Sequence, residues 1–273
     1  MSPRTALTLW VGVAGLVAAA LVHAARRLNV RLGWVRPNYA GVALPAFCGV
    51  AFPAVGLACI AGLPLASHAG MDARPLWVLL GGTVCFAAVG LTDDLYGSAE
   101  VRGILGHVKA SLASRRVTTG MLKLLLGGGA AVVRGLVLCQ GRLLSSLVAA
   151  AVIALSANAI NLLDTRPGRA PWTATAALCA LFLLPLARGD AAISISFPLW
   201  PFLIAAETMA LSDGARRSMM GDVGSNSLGA VVGIGFVLAA DLWVEVTLVV
   251  ALLAATLVAD RYSLTTWLER NRQ

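Results

Sequence analysis

The apolar residues of this chain run in stretches of about 17 to 26, with the charged residues confined to short clusters between them. A helix rises about 1.5 Å per residue, so roughly 20 apolar residues cross the hydrocarbon core of a bilayer. Lipid offers no hydrogen bonds, so a spanning segment must satisfy its own backbone, and runs of this length do so as helices. Composition agrees, at 59% hydrophobic and 12% charged residues, where soluble domains run nearer half and a quarter. The expected fold is all-α, a polytopic transmembrane bundle. No polar stretch is long enough for a separate unit, so residues 1–273 form a single integral membrane domain.

Nine spans are predicted, over residues 5–25, 41–66, 76–92, 120–138, 143–163, 171–187, 191–211, 227–240 and 242–259. The first has the look of a signal peptide, but its length and the spans that follow make it an uncleaved helix. The second contains Pro45, Pro53 and Pro64, which predicts a kinked or broken helix. The eighth is short, and its helix is expected to begin several residues before Ser227. Residues 102–116 place Ile104, Leu105, Val108 and Leu112 at helical spacing, a pattern shared by an interfacial amphipathic helix and a solvated loop.

Orientation follows from the basic residues. Sixteen of the 21 fall in the loops after spans one, three, five and seven and in the C-terminal tail, against five on the other side. The positive-inside rule places the richer side in the cytoplasm, with the N-terminus outside and the C-terminus inside. The net charge of +8 is thereby explained by topology and anionic headgroups, and nucleic acid is not an expected partner. The five cysteines lie in or beside apolar runs without a CxxC pair, which argues against a zinc site or a disulfide framework.

Three acidic clusters then fall on the face that basic residues alone assigned to the cytoplasm. Asp93 and Asp94 in GLTDDLYG close span three. Asn158, Asn161 and Asp164 in SANAINLLD close span five. Asp222 in MMGDVGSNSLG precedes span eight, with Asp213 upstream. At 100° per residue, Asn158, Asn161 and Asp164 share an arc of about 120°, whereas Asp93 and Asp94 diverge by about 100°. Ionisable groups at membrane depth are costly and usually functional. Carboxylates with amides, and without paired Cys or His, favour a hard cation, Mg²⁺ above all. Lys109, Arg115, Arg116 and Lys123 are candidates to meet phosphate charge. The small residues of GDVGSNSLG would give backbone N–H groups access to an anion. Glu207, inside span seven, is expected to be buried and satisfied.

These segments resemble those of the polyprenyl-phosphate N-acetylhexosamine-1-phosphate transferases, glycosyl transferase family 4. The family's aspartate pair is similar to Asp93–Asp94, its NxxNLxD segment to Asn158–Asp164, and its MGDxGSxxLG segment to Met220–Gly229. RPNYAGVALP, residues 36–45, sits where the family has a Gly- and Pro-containing segment, and Lys123 resembles a family lysine. The chain departs from the pattern with Gly97 in place of a lysine, TRPGR after NLLD instead of a DG-rich stretch, and no histidine-rich loop. It reads as a short, divergent member.

The resemblance implies Mg²⁺-dependent transfer of a sugar 1-phosphate from a UDP-sugar to polyprenyl phosphate at the cytoplasmic face of the cell membrane, as in cell-wall peptidoglycan synthesis. It implies Asp222 and Asp94 as metal ligands and Asp93, Asp94 and Asp164 as catalytic residues. Asn158, Asn161, Asp213, Lys109, Lys123, Arg115 and Arg116 would bind substrate. The expected partners are the lipid phosphate, the UDP-sugar and the membrane, with homodimerisation left open. The alternatives are a non-catalytic paralogue that binds lipid phosphate or scaffolds envelope enzymes, and a transporter. Acids gathered on one face rather than at the midplane weigh against the transporter.

Overall fold

A computed structural model describes residues 1–70, 72–96, 129, 132, 136–138, 142–188 and 197–261. The described elements are α1 (Pro3–Arg31), β1 (Val35–Pro37), β2 (Ala43–Pro45), a 3₁₀ turn (Cys48–Val50), α2 (Ala51–Ala61), α3 (Leu63–His68), α4 (Ala73–Tyr96), α5 (Leu143–Leu163), α6 (Arg169–Arg188), a second 3₁₀ turn (Phe197–Leu199), α7 (Trp200–Gly214), α8 (Gly221–Ala239) and α9 (Leu242–Arg261). Five of the described helices, α1, α4, α5, α8 and α9, are long and apolar enough to cross a membrane. The predicted fourth span and the 102–116 segment lie almost wholly outside the described residues.

Helix boundaries follow local chemistry. Ser2 caps α1 by accepting from Thr5 N–H at 3.1 Å, and Pro3 opens the first turn, where a missing N–H costs nothing. Gly33, at φ 68°, ends the helix in the left-handed conformation. The second predicted span is broken as its prolines require, with α2 and α3 meeting at Gly62 and Pro64 in the first turn of α3. Its beginning differs from expectation, because residues 35–45 form an antiparallel hairpin in place of the start of a helix. Pro37 and Pro45 cannot donate to a helical ladder. The Asn38 side-chain oxygen instead accepts from Ala40 and Val42 N–H at 2.9 and 3.0 Å, closing a turn that contains Gly41 at φ 78°. Fully buried Asn29 on α1 fastens the hairpin's exit, accepting from Phe47 N–H at 3.0 Å while donating to Ala25 C=O at 2.9 Å.

Helix α8 is the hub. Every residue from Val223 to Gly235 is buried, and α8 packs on α4, α5, α6 and the first 3₁₀ turn. Glycine permits the close approach. A Cβ on Gly229 or Gly233 would stand 2.5 or 2.7 Å from the α5 backbone at Ala157 or Ile153. In a bilayer, helices associate through close backbone packing, since lipid is as apolar as leucine. Helix α8 begins at Gly221, six residues before the predicted span, so GDVGSNSLG is the first turns of a helix and not a loop. Glu207 corrects another expectation. It is exposed on α7, because that helix buries Ala205, Ala206, Met209 and Ala210, and Glu207 points away from them.

Candidate active site

Helix direction brings the acidic clusters to one end of the bundle. Asp94 in the last turn of α4, Asp164 just after α5, Asp213 in the last turn of α7 and Asp222 in the first turn of α8 all line one pocket of about 260 Å³.

Asp94 is placed by a close helix crossing. A Cβ on Gly90 would lie 2.0 Å from the Asp222 carbonyl oxygen, so α4 can meet the start of α8 only with glycine there. One turn further along, Asp94 Oδ2 accepts from Val223 N–H at 2.9 Å, and the Asp222 N–H also bonds this carboxylate. Asp94 therefore caps α8 from another helix, its charge facing the positive end of the helix dipole. The anion that meets the backbone donors of GDVGSNSLG is the protein's own Asp94. Gly221, at φ 75°, has no room for a side chain between Ala46 C=O and Asp94.

Asp213 ties three segments together. Its carboxylate accepts from Gly168 N–H at 2.5 Å and from Met220 N–H, and its carbonyl accepts from Arg216 N–H at 2.8 Å. The TRPGR turn, the turn after α7 and the approach to α8 are thus held by one residue. Burial pushes the Asp213 carboxyl up, with the two N–H donors opposing. Asp164 is raised well above the usual carboxylate range, first by burial and then by the charges of Asp213, Asp222 and Asp94.

A second wall of the pocket is basic and aromatic. Arg36, Asn38 and Tyr39 of the hairpin and Arg166 of the TRPGR turn line the same pocket. Arg36 lies 5.0 Å from the Phe47 ring centroid, and Arg166 lies 4.7 Å from that of Tyr39. Arg216, in a strained left-handed conformation at φ 56°, stands 5.8 Å from the same tyrosine. An acidic floor and a cationic wall in one pocket suit a ligand that carries both a cation and phosphate.

A family model described as Glycosyl transferase family 4 matches residues 76–240, more than half of the chain. The chain belongs to glycosyl transferase family 4. At the family level this is sugar-phosphate transfer to a lipid phosphate. No curated protein matches the chain.

In this family 4 chain, Asp94, Asp164, Asp213 and Asp222 share the pocket, whereas Asp93 does not line it. Asn161 sits at the α5–α8 contact, its Oδ1 accepting from Ser225 Oγ at 2.7 Å. Asn158 faces α9, donating to Thr256 Oγ1 at 3.2 Å, and does not line the pocket. Lys109, Arg115, Arg116 and Lys123 lie outside the described residues. Sequence reasoning did not single out Arg36, Asn38, Tyr39 or Arg166 as binding residues. The signal available for them was the Asn38–Gly41 turn between Pro37 and Pro45, and TRPGR where the resemblance leads one to expect a DG-rich stretch.

The residues present suit Mg²⁺. Four carboxylates line one pocket, and the repulsion felt at Asp164 is what a bound cation relieves. Among the described residues, no three His, Cys, Asp or Glu side chains form a ready ligand cage. Mg²⁺ itself takes one or two protein carboxylates and fills the rest of its shell with water and phosphate.

Proposed function

We propose that this chain transfers a sugar 1-phosphate from a UDP-sugar to polyprenyl phosphate. An oxygen of the lipid phosphate attacks the sugar-bearing β-phosphorus, the bridging bond to the α-phosphate breaks, and UMP leaves. The product is polyprenyl-diphospho-sugar. The observation that carries this reading is one pocket, in a family 4 chain, that four aspartates from four segments share with Arg36 and Arg166.

Asp222 and Asp94 would hold Mg²⁺, with Asp164 beside them. When bound, the cation neutralises charge on the transferring phosphates. Asp94 keeps its own carboxylate in register with Asp222 by capping α8. A phosphate monoester has its second pKa near 6, so at pH 7 the lipid phosphate is mostly dianionic. It needs little help from a base, and the aspartates act by orientation and charge. Catalysis then rests on positioning and electrostatic stabilisation, as is usual for phosphoryl transfer. Asn161 orients the first turns of α8 through Ser225. Lys109, Arg115, Arg116 and Lys123 add cationic charge for the substrate phosphates. In this reading nine spans place the pocket at the cytoplasmic face of the cell membrane, where the acceptor phosphate emerges from the bilayer.

Purified protein in nanodiscs, given Mg²⁺, polyprenyl phosphate and a panel of UDP-sugars, is expected to release UMP and to exchange labelled UMP into one of them. Asp222→Ala should abolish both while still inserting in the membrane. Full activity in that variant refutes the metal assignment. Absence of exchange with every UDP-sugar favours a lipid-phosphate-binding scaffold.

A further inference from the structure

No Asp or Glu precedes Asp72, so every carboxylate is missing from α1, the hairpin and α2. A groove of about 520 Å³ runs between the second half of α1 and the start of α2. Its lining is apolar except for Arg27 and Arg31. The small side chains of Ala20, Ala24, Ala51 and Ala54 leave this seam unfilled where the two helices pack. From Ala20 to Arg31 the helix rises about 16 Å, close to half of the roughly 30 Å hydrocarbon core, the depth of one leaflet. The 29 residues of α1 extend about 43 Å, so its last turns clear the core and reach the headgroup layer. Arg27 and Arg31 are both exposed and stand one turn apart, about 40° round the helix. Buried Asn29 lies about 160° from each and accepts from Phe47 N–H, and Phe47 lines the aspartate pocket. The arginine pair therefore shares the pocket's end of the bundle but points to the other side of α1. The positive-inside rule accounts for basic residues at this end, but it calls for no groove beneath them.

We propose that this groove is a binding site for one anionic phospholipid of the bilayer. The headgroup phosphate sits between Arg27 and Arg31, whose guanidinium groups supply forked donors to its oxygens. The arginine stems lie along the apolar seam while their charged ends reach the headgroup layer. One acyl chain fills the groove between the alanines of α1 and α2. Charge complementarity selects the occupant, since the only charge in the groove is positive and neither helical wall carries an acid to balance it. A phosphate held here is turned away from Asn29 and the Phe47 segment, so the occupant is a structural lipid and not a reacting group. The inference needs only that α1 crosses the bilayer, and it is independent of the transferase reading.

The test is lipid binding to the delipidated full chain in a neutral detergent, read by native mass spectrometry with phosphatidylglycerol and phosphatidylcholine of the same acyl chains. Wild type should bind phosphatidylglycerol more tightly by about tenfold or more. The double variant Arg27→Gln with Arg31→Gln should bring that affinity down to the phosphatidylcholine level. Ala24→Leu fills the groove from an exposed position and keeps every charge, so it should weaken both lipids. Arg4→Gln, at the other end of α1, should change neither. Polyprenyl phosphate at equal concentration should not displace phosphatidylglycerol. Equal binding of the two lipids, a preference that survives the double variant, or one lost equally in Arg4→Gln overturns the site. Binding unchanged by Ala24→Leu overturns the groove, and if that variant splits a dimer as well, the groove belongs to a second copy. Displacement by polyprenyl phosphate assigns the arginines to the acceptor lipid and overturns the proposal. UMP exchange enters none of these measurements, so a chain without transferase activity leaves the result standing.

Discussion

Gly90→Ala tests the link between helix packing and the site with a single methyl group. The added Cβ would lie 2.0 Å from Asp222 O and 2.4 Å from its carbonyl carbon, both main-chain atoms that no rotamer change can move. Ordinary contact begins at 3.4 Å, so α4 and the start of α8 must separate by more than an ångström. Asp94 is one turn away on the same helix. Its 2.9 Å bond to Val223 N–H would stretch to about 4 Å, outside hydrogen-bonding range. Overpacking of this kind costs about 1–3 kcal/mol, and a lost charge-assisted bond adds about 1.5–3 kcal/mol. Misplacing a catalytic group by about 1 Å can cost a hundredfold in rate. We therefore expect Gly90→Ala to lower the thermal midpoint and to cut UMP exchange at least a hundredfold. Gly12→Ala, where a Cβ would meet nothing within 4 Å, should leave both unchanged. A Gly90→Ala protein with wild-type exchange and wild-type melting refutes the claim that this crossing sets the Asp94–Asp222 register.

Asn29→Ala should destabilise by about 1–3 kcal/mol, because it strips the Phe47 N–H of its buried acceptor. Limited proteolysis should then cut faster within residues 35–45 while α8 stays protected. Asp213 carries a raised folded pKa, so the native state holds its proton longer than the unfolded chain does. Stability should therefore fall as pH rises from the unfolded value of 3.8 through the folded one, and level off above it. Asp213→Asn should flatten that portion of the melting-temperature profile measured without Mg²⁺, and an unchanged profile would contradict the sign argued here. Reporter fusions should place the end of α9 in the cytoplasm and the start of α1 outside, and a C-terminus found outside would invert the proposed topology.

Much of the bundle was legible because its signal is one-dimensional. Run length alone gave helix α5 with its observed bounds, Leu143–Leu163, and located α4, α6 and α9 to within a few residues. The prolines of the second predicted span foretold its break, but not the hairpin. That element depends on Asn38 bonding its own turn and on Asn29 gripping Phe47 from 18 residues away, which no periodicity encodes. The acidic residues were legible as a set, since they sit at span ends on one side. Their division of labour was not. Asp94 caps a helix that follows it by well over a hundred residues, and Asp213 bonds the turn at Gly168. Glu207 was misread because its position inside an apolar run says nothing about which face of α7 packs.

The mixed charge of the pocket leads to one more expectation. The charges of Asp213, Asp222 and Asp94 raise the energy of the ionised Asp164, and Arg36 and Arg166 line the same pocket. A cation bound alone relieves the floor but adds to the positive potential at the wall, and a diphosphate bound alone does the reverse. Bound together in one pocket, the cation and the diphosphate attract each other, so the two affinities are coupled. Linkage makes that coupling reciprocal, so Mg²⁺ should tighten pyrophosphate by the same factor by which pyrophosphate tightens Mg²⁺. A coupling of about 1–3 kcal/mol, or roughly 5- to 150-fold, is the ordinary range. Mn²⁺ used as a spectroscopic stand-in for Mg²⁺ allows both arms of the cycle to be titrated on the same sample, after subtraction of Mn²⁺–pyrophosphate association in solution. Asp222→Asn should shrink the coupling as well as the metal affinity. Metal and diphosphate that bind independently would mean that the acidic floor and the basic wall serve different ligands.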